Sequence, residues 1–184
     1  FLSPLSNSRT DGYGGDAERR ARFLVETVRS VRAAWPTELP MSIRLGVSDF
    51  HADGLQLDET VALAGQLGRE GIDIIDVSIG FSAPVPNDVP WDQPAFMAPL
   101  AGRIREESGV QTAVGWAIDT PQHAEAVLQA RQADVVMLAR PSLVDPNWPI
   151  HAAEALEVED PWKLMPIQHG HWLRRWFGGV RMLR

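Results

Sequence analysis

Cysteine is absent from the 184 residues, and with it go a disulfide frame, a thiolate metal site and a cysteine nucleophile within this chain. No apolar run approaches the roughly 20 residues that span a bilayer, and the start lacks the basic-then-apolar pattern of a signal peptide. A cytoplasmic protein is the expectation. Lys and Arg number 17 against 24 Asp and Glu, a formal net charge of −7. That balance offers no basic field to nucleic acid or to an anionic membrane surface, so neither is expected as a partner. His-Glu-x-x-His, Walker-type and Ser-centred elbow motifs are missing too. What is present is a globular composition, 45% hydrophobic and 22% charged, in a chain long enough to bury a core. The first residue is Phe1 rather than methionine, and the chain is expected to begin inside a longer polypeptide.

Short apolar stretches rich in Val and Ile alternate with longer stretches of helical spacing. Strands are predicted at 41–47, 72–78, 111–114 and 135–138, and crossover helices at 60–70, 94–107 and 121–131, as in buried parallel sheets. Thr120 before Pro121 marks the clearest boundary, an N-cap followed by a proline at the first helical position. A further helix is predicted over 17–35, with Phe23, Leu24, Val28 and Val31 on one face, after a polar, glycine-rich loop. Such alternation means a parallel sheet with helical cover, doubly wound or a barrel. A full (β/α)8 barrel takes about 250 residues, so this chain would supply half of one. Residues 161–184, with Trp162, Trp172 and Trp176 among arginines, read as an amphipathic tail after a unit spanning 1–160.

Arg44 sits inside an apolar strand, between Ile43 and Leu45. A buried guanidinium needs an anion, either a carboxylate such as Asp49 or Asp76 or a bound ligand. Gly115, followed by Trp116, lies after the third strand, where its lack of a side chain lets backbone N–H groups approach a ligand. Ala139 and Arg140 follow the fourth. Loops after the last two strands of a barrel form the usual phosphate site, to which Arg140 would add a bidentate donor. Either feature alone reads as a turn or a solvated charge; in consecutive units they point to phosphate. Asp49 and His51 read as turn chemistry, because spacing supplies no third metal ligand. His169 and His171, two apart, do not share a helical face.

The opening Phe1-Leu2-Ser3-Pro4-Leu5-Ser6-Asn7, continuing through Arg9-Thr10-Asp11 and Tyr13-Gly14-Gly15 to Arg22-Phe23-Leu24, closely resembles the signature of the old yellow enzyme family. The likeness continues through Ile43-Arg44-Leu45, Ser48-Asp49-Phe50-His51-Ala52-Asp53-Gly54, Val77-Ser78-Ile79-Gly80-Phe81 and Gly115-Trp116 to Arg140. Trp116 and the tail segment Pro166-Ile167-Gln168-His169-Gly170-His171-Trp172-Leu173 resemble the xenobiotic reductases, of the thermophilic-like ene-reductase class.

The resemblance implies the C-terminal half of a TIM (β/α)8 barrel that holds FMN at the ends of its strands. It places Arg44 against the N1 and O2 edge of the flavin, where positive charge favours the reduced anion. It places the phosphate among backbone groups of Gly115 and Trp116 with Ala139 and Arg140. Ala139 stands where the family usually has glycine. Trp116 would wall the substrate pocket, and Trp172 matches a tail residue that enters a neighbouring subunit's pocket, implying a homo-oligomer. His171 stands where some members use an arginine. The family's His pair and proton-donor Tyr lie upstream, so no catalytic residue is expected within this chain, which would need the N-terminal half of the barrel as its partner. The implied activity is reduction of activated alkenes (enones, enals, maleimides or nitro compounds) by hydride from flavin N5, with NADPH or NADH as reductant. The alternative is a non-catalytic half-barrel that binds a complementary polypeptide.

Overall fold

The computed structural model describes residues 1–80, 82 and 89–180; Phe81 lies outside them. Helix α1 (Ala17–Ala34) is followed by β1 (Ser42–Gly46), α2 (Leu57–Arg69), β2 (Ile74–Ser78), α3 (Ala98–Ser108), β3 (Gln111–Val114), α4 (Pro121–Gln129) and β4 (Val135–Val136). The strands form one parallel sheet in the order β1-β2-β3-β4. Sequential order with a helix between each pair is the topology of a (β/α)8 barrel wall, here four β/α units of one.

Register sorts the side chains. Leu45, Val77, Val114 and Val136 align across the sheet, and the first three are buried. They pack with Leu67, Met97 and Ile104 in the core between sheet and helices. The alternate row, Arg44, Asp76, Ala113 and Val135, lies on the other face. That face would turn toward the axis of a barrel.

At the N-terminal ends of the strands a local device recurs. The Asp73 carboxylate accepts the Met41 N–H at 2.7 Å, and the Asp134 carboxylate accepts the Thr112 N–H at 2.9 Å. Each aspartate just before a strand thus closes the ladder to the preceding strand. Buried Arg20 ties the opening loop to both first helices, donating to the carbonyls of Leu2 and Gly15 and to Glu59 at 2.6 Å.

Several expectations shift. The Thr120 hydroxyl does cap α4, accepting from the His123 N–H at 3.2 Å. On α1, however, the buried residues are Arg20, Ala21, Val25 and Val28, while Phe23 and Val31 face out at 49% and 45% exposure. The helix predicted from residue 94 begins at Ala98, because Ala95 takes a positive φ of 54° and bonds its N–H to the Ala117 carbonyl. The fourth strand stops at Val136, and two short helices follow, α5 (Arg140–Val144) and α6 (Trp148–Ala155). The tail is helical: a 3-10 turn at Pro161–Leu164 leads into α7 (Ile167–Val180). Among the described residues no helix is long and apolar enough to cross a membrane.

Candidate active site at the strand ends

An open groove of about 1010 Å³ lies beyond the C-terminal ends of β1 to β4. Arg44, Gly115, Trp116, Ala139 and Arg140, all singled out in the sequence, line it together. They come from three β/α units, and only the closing of neighbouring strands brings them to one place.

Arg44 is not buried as expected. Its side chain is 66% exposed, because the inner face of four strands is open. It pairs with Asp76 rather than Asp49: Nε stands 3.8 Å from the Asp76 carboxylate, and Nη2 donates to the Ser78 hydroxyl at 3.0 Å. Partial burial pushes the Asp76 carboxyl above the usual carboxylate range, and the Arg44 charge opposes that rise. Asp49 is spent elsewhere, accepting the Leu55 N–H at 2.8 Å inside its own loop. His51 accepts the Asp53 N–H at Nδ1, also within that turn.

Gly115 follows β3 with its backbone against β4, where a Cβ would come within 3.2 Å of the Met137 carbonyl oxygen. The next two residues carry positive φ, 69° at Trp116 and 51° at Ala117, a region that non-glycine residues seldom occupy. The Trp116 ring lies 5.6 Å from Trp91 and 6.2 Å from Phe96, centroid to centroid. Sequence reading missed Trp91 and Phe96, since the segment that carries them was assigned in part to a helix.

Arg140 opens α5 after Ala139, whose φ of −112° needs no glycine. Among the described residues Arg140 makes no ion pair and no side-chain hydrogen bond. Two carboxylates of the same groove are already engaged, Asp119 by His123 at 2.8 Å and Asp145 by His151 at 2.6 Å. An unpaired guanidinium on a groove wall, next to the glycine-lined end of β3, is a donor set that fits an anionic group such as a phosphate.

Trp172 lies outside this groove, on α7, with 65% of its surface exposed. It borders a second cavity of about 610 Å³ with Trp162, His151 and His169. Gly170 allows the tail to fold there, since a Cβ would stand 2.5 Å from the Trp162 carbonyl oxygen.

The four-stranded parallel sheet with its crossover helices is that of a partial β/α barrel, and the groove at its strand ends is the candidate site. The sequence profile of the NADH:flavin oxidoreductase / NADH oxidase family matches residues 1–159, and the chain belongs to that family. The family's description names NADH and flavin, and the curated relatives are named NADPH dehydrogenases. The chain is 40% identical over 159 residues to an NADPH dehydrogenase of Geobacillus thermodenitrificans (strain NG80-2), covering 86% of this chain and 45% of that protein. An NADPH dehydrogenase of Bacillus velezensis (strain DSM 23117 / BGSC 10A6 / LMG 26770 / FZB42) is 37% identical over 169 residues, 92% of this chain and 48% of that one. The chain thus spans less than half the length of these curated relatives. Among solved structures, a 2-naphthoyl-CoA reductase in complex with 2-naphthoyl-CoA superposes with a TM-score of 0.72 at 26% identity, covering 84% of this chain and 24% of that one.

Proposed function

We propose that this chain is the C-terminal half of an FMN-dependent, NADPH-oxidising reductase of activated alkenes such as enones, enals and maleimides. The observation that carries the reading is the convergence of Arg44, Trp116 and Arg140, the last without an ion pair among the described residues, on one groove at the strand ends. Arg140, with backbone groups near Gly115 and Ala139, would hold the flavin phosphate. Arg44, tipped toward the strand ends by Ser78, would set positive charge beside the pyrimidine edge of the ring. Bound there, FMN supplies a hydride relay between NADPH and the alkene. Trp116 would wall the acceptor's side of the groove. Residues 161–184 would act as a tail distinct from the half-barrel at 1–160, and exposed Trp172 would reach a neighbouring copy's site in a homo-oligomer.

The test is a full-length protein carrying this half. It should be yellow as purified, bleach anaerobically with NADPH, and regain its colour when cyclohexenone or N-ethylmaleimide is added. A colourless protein that binds no FMN would favour a non-catalytic half-barrel. Bleaching without recovery on any such acceptor would keep the flavin and remove the alkene.

A further inference from the structure

We infer that Trp91 is a positioning residue: with Phe96, its indole holds Trp116 in the left-handed turn after β3 and so sets the shape of the groove at the strand ends. Trp116 and Ala117 both take positive φ without being glycine. Such a conformation persists only where the surroundings over-determine it. Residues 91–96, just ahead of α3, supply restraints on it. The Ala95 N–H donates to the Ala117 carbonyl at 3.1 Å, clamping the turn by its backbone. Trp91, Phe96 and Trp116 form a cluster, Trp91 and Phe96 at 5.5 Å and 74°, Trp91 and Trp116 at 5.6 Å and 51°. These tilted and edge arrangements are favourable for aromatic pairs.

The two supporting rings differ in kind. Phe96 is 9% exposed and belongs to the core, whereas Trp91 is 42% exposed and lines the groove. Core packing therefore explains Phe96 but leaves Trp91 unaccounted for. A large half-exposed indole leaning on another indole restricts where the second can turn. Without it, the Trp116 ring gains room toward the open groove. A compact acceptor would then lose its wall, while a bulky one would gain space.

The acceptor half of this inference rests on the alkene-reductase reading; the Trp116 half does not. The test uses the FMN-bound full-length protein labelled with 5-fluorotryptophan, the Trp116 resonance being assigned by its loss in Trp116→Phe. In Trp91→Ala the Trp116 fluorine line should move toward the solvent-exposed position, while Trp91→Phe, which also guards against a folding failure, should keep it near its original place. Acceptor preference, as the kcat/KM ratio of a compact to a bulky cyclic enone, should shift about three- to tenfold in Trp91→Ala, in the same sense as in Trp116→Ala, and no further in the double variant. A Trp116 line unmoved by Trp91→Ala, or additive shifts in the double variant, overturns the inference. If the wild-type protein reduces neither enone, the alkene reading falls and the fluorine line alone decides the role of Trp91.

Discussion

Arg44 donates to the hydroxyl of Ser78, two residues further along β2 than its register partner Asp76. That diagonal bond leans the guanidinium toward the C-terminal ends of the strands and leaves Asp76 a long contact of 3.8 Å. An arginine held chiefly by a neutral hydroxyl keeps most of its charge available to a ligand.

Arg44→Met, close in length but uncharged, should weaken FMN binding and slow reduction by NADPH in the full-length protein. A hydrogen bond to a charged group is worth about 1.5–3 kcal/mol, so roughly a tenfold loss or more is expected in flavin titrations. The same change removes the charge that restrains Asp76, whose carboxyl should titrate still higher by carbon-13 NMR. Because that group sits above its ordinary value of 3.8, its favourable contribution to folding is full below that value and fades as pH rises through the folded one. The variant should stretch that window upward. An unchanged flavin affinity would leave Arg44 only its ion pair.

Ala139→Gly should tighten FMN a few-fold, since the backbone there already suits either residue and only the methyl beside the proposed phosphate is lost. Arg140→Ala should loosen it by roughly tenfold or more, on the same scale for a charged donor. Release of free-flavin fluorescence on dilution measures both. An Arg140→Ala protein that retains flavin as tightly as wild type would put the phosphate elsewhere.

The Asp145 carboxylate accepts from the Asn147 N–H at 2.9 Å and meets His151 Nδ1 at 2.6 Å. The hydrogen bond to Asp145 holds the His151 pKa above its ordinary 6.5, and His151 lowers that of Asp145. What the raised imidazole contributes is complete below its ordinary value and lost as pH climbs through its folded one; what Asp145 contributes is lost as pH falls through its own. The contact should therefore be tightest in mildly acidic solution. Proton NMR of His151 should show a raised midpoint that returns toward normal in Asp145→Asn; no difference between the two proteins would remove the pair.

Val135 and Met137 are 42% and 46% exposed on and just beyond β4, and Leu143 and Val144 on α5 are 83% and 87% exposed. Strand edges and apolar surface left open in this way favour association. A polypeptide limited to residues 1–184 should self-associate in sedimentation, hold FMN weakly and leave enones intact. Mixing with the other four β/α units should restore colour and turnover. Turnover by residues 1–184 alone would show that the proposed upstream histidines and tyrosine are not required.

Local chemistry alone determined the alternation of strands and helices. Runs of Val and Ile announce β2 and β4, and Thr120 before Pro121 marks the start of α4, because capping and strand packing act over a few residues. Individual site residues were also visible, Arg44 as a charge in an apolar strand and Arg140 as a charge at a strand end. Tertiary structure decided which of them meet. Arg44 turns to Ser78 and Asp76 rather than Asp49 because the β1–β2 register sets its neighbours, and no periodicity within one strand encodes the register of another. Trp91 and Phe96 reach Trp116 across separate β/α units, a pairing that exists only once β2 and β3 lie side by side. The outward turn of Phe23 and Val31 has the same origin. Spacing sets which residues share a stripe of α1, but the stripe that is buried is the one that meets α2 and the core.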